Sequence, residues 1–243
     1  MTMNARWQSA AATAAIGMAM AAAGTTAAGA TPDPSPAQAR AEAPSTGMPA
    51  VEAASLLLGP DEQVGWVSQA AWSQRWWEWA MSFDNDTSPV ADRTGLQCGN
   101  RQNGDVFFLA GTYGTARTMR TCRVPADKYL FFPLINYVVV PTRQGQPTCA
   151  KVVSDAERIT DGAELLVLEI DGVRYDRLQR HRQASPECFN AWTRHPSGAR
   201  LYPSASNGYY VMLKPLPRGR HTLSFGGALP GMSQAVTYTL FVE

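Results

Sequence analysis

The residues best able to do chemistry sit close together. Arg174, Arg177, Arg180, His181 and Arg182 crowd one short segment, and from Val173 to Arg200 six Arg stand against Asp176 and Glu187, a local charge of +4. Only three of the 21 basic residues are Lys, which leaves 18 Arg. A guanidinium fork matches carboxylate, sulfate and phosphate oxygens two at a time, where an ammonium is a point charge. One reading is therefore an anion-binding face built on Arg177, Arg180 and Arg182, suited to an acidic carbohydrate or another envelope polymer. His181 would be available there as an acid or base near neutral pH. The other reading is a solvated loop whose charges pair with Asp155 to Asp171, a segment holding six carboxylates and one Arg.

Glu169 is the second candidate. Glu164 to Ile170 reads as a strand, and its alternation puts Glu169 on the face of Leu165 and Val167. A carboxylate among apolar neighbours holds its proton more tightly and can serve as a general acid or base, although a place near the strand end also lets it reach water. Trp77 is the third. Trp72, Trp76, Trp79, Ala80 and Phe83 fit one helix face, and Trp77 lies about 140° from Trp72, off that stripe. An exposed Trp77 could stack on a sugar ring. His221 alternates with Leu223 and Phe225 and reads as a core histidine, His195 falls in a loop, and Tyr209 and Tyr210 point to opposite faces of one strand.

The chain contains no G-x-S-x-G elbow, S-x-x-K, H-E-x-x-H, Walker loop or G-x-G-x-x-G, so no standard serine or zinc machine is encoded locally. No motif calls for a metal or a cofactor. Cys98, Cys122, Cys149 and Cys188 lack C-x-x-C spacing and are even in number, which reads as two disulfides. The pairs Cys98 with Cys122 and Cys149 with Cys188 close the shorter loops.

The elements that must position these residues follow from periodicity and punctuation. Residues 1–30 begin with Arg6, run through an Ala-rich apolar stretch and reach Ala28-Gly29-Ala30, the layout of a cleaved secretory signal. Removing it leaves 20 basic against 20 acidic residues, because Arg6 is the leader's one charge. That balance gives no field steering the chain to nucleic acid. No later segment has the length and apolarity to span a membrane. Residues 31–54 are rich in Pro, Ala, Ser and Thr and read as a flexible tether. The folded domain is placed at 55–243. Ser68 is a fitting N-cap for the Trp-rich helix, and Ser154 to Glu157 has capping-box spacing for a short second helix.

The rest reads as strands. Val106–Ala110 and Thr118–Val124 flank a Gly-containing turn, Tyr129–Val140 is apolar enough to need cover on both faces, and Asp171-Gly172 joins a hairpin. A second hairpin is expected between Tyr209–Leu213 and His221–Phe225, and Val236–Val242 alternates as the last strand. The predicted fold is mainly β: an antiparallel β-sandwich, with a jelly roll as one form it can take, carrying an N-terminal helical elaboration.

The segments Trp72–Ala80 (WSQRWWEWA), Pro89–Gly95 (PVADRTG), Gln102–Gly111 (QNGDVFFLAG), Thr121–Pro133 (TCRVPADKYLFFP) and Gly208–Leu223 (GYYVMLKPLPRGRHTL) together resemble a family of secreted bacterial proteins described as hypothetical. The resemblance runs over most of the folded region and implies secretion and one domain. It brings no activity with it. Two functional readings follow: a secreted or periplasmic protein that binds a polysaccharide or envelope polymer, and a polysaccharide lyase or hydrolase drawing on Arg180, His181, Arg182 and Glu169. A structural envelope protein is a third. Convergence of Glu169, His181 and Arg182 in one cleft would favour catalysis.

Overall fold

A computed structural model describes residues 55–113, 115, 117–142 and 145–243. The predicted leader and tether lie outside the described residues. Nine strands and two helices occur among those described. One sheet has the order β1 (Val106–Phe108), β3 (Tyr129–Val139), β7 (Ala205–Leu213), β6 (Arg182–Ala184). The other has β2 (Thr118–Val124), β9 (Met232–Val242), β8 (Gly219–Leu229), β4 (Leu165–Ile170), β5 (Val173–Arg174).

The inner faces of the sheets share one core. Alternate residues of β3 and β7, such as Leu130, Phe132, Val211 and Leu213, meet Leu168, Leu223, Phe225 and Leu240 of the second sheet. Phe132 and Phe225 lie with ring centroids 4.5 Å apart. The intervening residues Phe131, Tyr210 and Met212 face the other way, into a second apolar cluster. This accounts for a β3 segment with no polar stripe, as a strand covered on both sides requires.

Both sheets are of mixed orientation, which corrects the antiparallel expectation. β1 and β3 run parallel, as do β2 and β9, while the other pairs are antiparallel. After β1 the chain passes to the second sheet for β2 and returns to place β3 beside and parallel to β1. The predicted hairpin of Tyr209–Leu213 with His221–Phe225 does not form either. Its two strands belong to opposite sheets, and Pro215 and Pro217 hold the crossing extended while Leu216 is buried in the core. The Asp171-Gly172 hairpin is present but short, pairing only Glu169 with Arg174 and Ile170 with Val173. Both turn residues have positive φ, 50° and 82°, the geometry that favours Asp-Gly.

Helix α1 (Gln69–Ala80) is capped by Ser68, whose hydroxyl accepts from the Ala71 N–H at 3.2 Å. Its apolar face covers the outer side of the first sheet, with Trp72, Trp76 and Trp79 buried against Phe108, Phe131 and Met212. Four indole N–H groups are donated outward. Trp72 reaches Val64 O at 3.2 Å, Trp76 Leu109 O at 3.0 Å, Trp79 Asn100 O at 3.0 Å and Trp77 the Tyr210 hydroxyl at 2.9 Å. The helix thus staples three connecting loops and one strand to the core.

Trp77 is consequently no ligand platform. It is buried, and its ring meets Trp76 edge-on at 5.1 Å. Tyr210 also accepts from the Asn136 amide at 3.0 Å, and burial pushes its phenol well above the usual range. Tyr209 is buried on the opposite side of the strand, so neither tyrosine is presented to solvent. Tyr210→Phe leaves the buried Trp77 indole and the half-buried Asn136 amide without this acceptor and is expected to lower the unfolding free energy by about 1–3 kcal/mol. Urea denaturation checks this. An unchanged midpoint would show that the phenol's contacts are not needed.

Helix α2 (Cys149–Thr160) begins five residues before the predicted capping box, with Thr148 as its cap. Ser154 therefore lies inside the helix, and the helix is anchored at its first residue by a disulfide. Both expected pairs are formed, Cys98 with Cys122 and Cys149 with Cys188. No helix among the described residues is long and apolar enough to cross a membrane.

Candidate functional site

The Arg-rich segment does not assemble as one face. Arg182 is half-buried and consumed by the end of α2: its guanidinium meets Asp161 at 2.6 Å, Asn207 Oδ1 at 2.9 Å, the Glu157 carbonyl at 2.9 Å and the Thr160 hydroxyl at 3.1 Å. The pairing with the acidic segment is thus realised at this residue. Arg177 and Arg180 are exposed on the short 3-10 turn Leu178–His181 and its cap.

His181 is 0% exposed, and neither ring nitrogen has a protein hydrogen-bond partner. Burial, followed by the Arg180 charge, pulls its pKa down to about 4. The ring is neutral at pH 7 and has no surface from which to touch a substrate. Because the unfolded chain binds this proton more readily, His181 lowers stability as pH falls from about 6.5 towards 4 and is neutral to stability above that window. His181→Leu is expected to keep the fold, with a smaller loss of stability over that pH range in denaturation curves. A variant that loses stability as steeply as the parent chain would contradict this.

Glu169 is half-exposed on the outer face of the second sheet, opposite Arg174 on one side and Ser224 on the other. The predicted acid–base set of Glu169, His181 and Arg182 is therefore one outward group, one sealed group and one structural clamp. It has the geometry of no active site.

Two other histidines are likewise spoken for. His221 is buried, with Nδ1 2.7 Å from Asp171 Oδ2 and Nε2 2.8 Å from the Pro217 carbonyl, which ties the β4–β5 turn to the crossing between sheets. His195 stacks on Trp192 at 4.9 Å, with Nδ1 2.8 Å from Ser197 Oγ and Nε2 3.7 Å from Asp84. This carboxylate–imidazole–hydroxyl chain looks nucleophilic, but the nearby N–H groups are engaged. Ser197 N donates to Nδ1, Gly198 N to the His195 carbonyl and Ala199 N to Ser197 Oγ. None of these donors is left for a developing oxyanion, and the arrangement closes a turn.

A different group of residues forms a cleft. It has a volume of about 310 Å³ and opens where β2 ends. Val106, Phe107 and Pro125 give it apolar lining, Gln102 and Asn103 supply amides, and Arg123 and Lys128 supply charge. The loop carrying the amides is rigid. Gln102 donates to the carbonyls of Cys98 at 2.8 Å and Phe108 at 2.9 Å and accepts from Phe108 N at 2.9 Å. The Cys98–Cys122 disulfide then ties this loop to the strand that carries Arg123.

The cations of the cleft are available to a ligand. Arg123 pairs with Glu243 at 2.7 Å, but the two side chains are 72% and 60% exposed, and such pairs contribute only about 0–1 kcal/mol. Lys128 lies 3.1 Å from Asp127, whose carboxyl is held below its usual range first by that hydrogen bond, with the charges of Lys128 and Arg218 adding to the effect. Arg220 stands across β9 from Arg123, each opposite Phe241. Lys128 and Arg218 therefore stand near Asp127, and Arg123 near Glu243. Sequence spacing could not show that positions 123 and 220 fall in one row, which happens only because β2 and β8 flank β9. A second cleft, of about 390 Å³, holds one cation, Lys151, already paired with Asp155. Among the described residues no three His, Cys, Asp or Glu side chains gather to hold a metal.

Compared with models of protein families, with curated proteins and with solved structures, the chain matches none. The chemistry of the cleft carries the functional reading.

Proposed function

We propose that this is an exported binding protein, a β-sandwich scaffold whose ligand is an acidic carbohydrate held at the Arg123–Lys128 cleft. The single observation that carries the reading is the meeting of two weakly paired cations, the Asn103 amide and an apolar wall in one concave site. Sugar rings present apolar C–H faces beside hydroxyls, and a uronate or sulfate adds the charge that a guanidinium fork recognises. Export is supported by the two disulfides, which persist in oxidising compartments, and by the leader-like residues 1–30. A lyase or hydrolase is disfavoured by the sealed His181 and the clamped Arg182.

The reading is tested by calorimetric titration of the disulfide-intact chain with uronate-bearing, sulfated and neutral oligosaccharides at two salt concentrations. Binding of the acidic sugars that weakens at higher salt, with no binding of neutral ones, is the expected result. Equal binding of neutral sugars, or time-dependent release of cleaved products, would overturn it.

A further inference from the structure

Resting on that reading, we infer that the site continues out of the cleft across the open face of the second sheet, and that its ligand is an extended glycan carrying one anionic group on every second sugar. Arg123 lines the cleft and also holds its guanidinium 5.8 Å from the centroid of the Phe241 ring, so cleft and sheet face are continuous through one side chain. The register sets Arg123, Phe241 and Arg220 in one row on three adjacent strands, and all three are exposed. Directly opposite residues share a sheet face, so these side chains project to the same side.

The spacing selects the ligand. Two strand separations place the guanidinium-bearing positions about 10 Å apart, roughly the length of two sugar rings, with an aromatic ring between them. An anionic group at each Arg and a neutral ring over Phe241 satisfy the row together. The next row inward is Thr121, Thr239 and Thr222, a line of hydroxyls that can bond to sugar hydroxyls without adding charge. Glu169 lies a further row away with Arg174 opposite it. The cationic strip is thus confined to the edge nearest the cleft. A polymer charged on every ring would set a carboxylate against the electron-rich face of the Phe241 ring, where the apolar face of a neutral sugar is the better fit.

The test uses the full folded chain with hyaluronan, in which uronate alternates with a neutral amino sugar, its disaccharide, polygalacturonate and duplex DNA. Hyaluronan polymer is expected to bind at least tenfold tighter per site than the disaccharide and tighter than polygalacturonate. Phe241→Ala or Arg220→Gln, both at exposed positions, should each remove about tenfold of polymer affinity and leave disaccharide affinity unchanged. Polymer affinity unmoved by either variant, while Arg123→Ala abolishes binding, would overturn the extended row and leave the cleft standing. No binding of any acidic glycan by the parent chain would overturn both. DNA binding as tightly as hyaluronan, insensitive to Phe241→Ala, would show charge alone at work and also overturn the row.

Discussion

Replacing Arg120 by Met is expected to lower the unfolding free energy by about 3 kcal/mol or more. Arg120 is 3% exposed and has no carboxylate partner; its guanidinium instead donates to backbone carbonyls. Nε reaches Asp92 O at 2.7 Å, Nη2 reaches Val90 O at 3.1 Å, and Nη1 reaches Ala110 O at 2.6 Å, Gly111 O at 2.9 Å and the Tyr238 hydroxyl at 3.0 Å. One planar group thus closes the 90–92 loop, the crossing after β1 and the centre of β9. Met fills the space of the stem but leaves the carbonyls of Val90, Asp92 and Gly111 short of a donor, each at a cost of about 1 kcal/mol, while Ala110 O keeps the Tyr238 hydroxyl at 3.1 Å. Arg120→Lys should recover little, since an ammonium cannot span acceptors set out for a fork. Guanidinium denaturation with the Met and Lys variants is the check. A loss below 1 kcal/mol for Arg120→Met would mean the loops are held by something else.

Opening the two disulfides separately should have similar effects on stability and different effects on binding. The bridges join residues 24 and 39 positions apart, and loop entropy assigns them about 3.5 and 4 kcal/mol. Opening both approaches the whole stability of a typical domain, so full reduction is expected to unfold the chain. Only the Cys98–Cys122 bridge ties the Gln102 loop to the Arg123 strand. Under conditions where each paired Cys→Ser variant still folds, loss of Cys98–Cys122 should weaken acidic-sugar binding about tenfold or more. Loss of Cys149–Cys188, which anchors α2 on the far segment, should leave binding unchanged. Equal effects on binding would argue that the disulfides act only through global stability. Thermal melts followed by titration calorimetry separate the two cases.

Local signals carried much of the fold. The spacing of Trp72, Trp76 and Trp79 places them on the buried face of α1, the uninterrupted apolar run of β3 reflects cover on both sides, and Asp171-Gly172 is a turn with the φ values such a pair permits. Strand pairing was less visible. Alternation says which face a residue takes but not which sheet its strand joins, so β7 and β8 read as a hairpin although Leu216 and two prolines carry the chain between sheets. Trp77 shows the limit of a helical stripe. A residue off the main face can still be buried when a long strand with a polar tip, here Tyr210, lies beneath it.

The candidate site was least legible. A charge run in sequence drew attention to Arg177, Arg180 and Arg182, yet Arg182 is needed to hold α2, and Arg177 and Arg180 stand exposed on a short 3-10 turn and its cap. Arg123, Lys128 and Arg220 are scattered and unremarkable as a string. Arg123 and Lys128 share a cleft because Pro125 and Lys128 follow β2, and Arg220 joins the row of Arg123 because β9 lies between β2 and β8. Trp72–Ala80 and Gln102–Gly111 make scaffold contacts, Trp76 on Leu109 and Gln102 on Phe108.

The most direct test of where this protein binds compares two double variants of the disulfide-intact chain, Arg123→Ala with Lys128→Ala and Arg177→Ala with Arg180→Ala. All four side chains lie outside the core, so both proteins should melt within a few degrees of the parent chain. Titration with an acidic oligosaccharide at low salt is expected to show at least a tenfold weaker Kd for the cleft variant and an unchanged Kd for the other. The reverse pattern, with the cleft variant binding normally and the Arg177 and Arg180 variant failing, would move the site to the 3-10 turn and contradict the account.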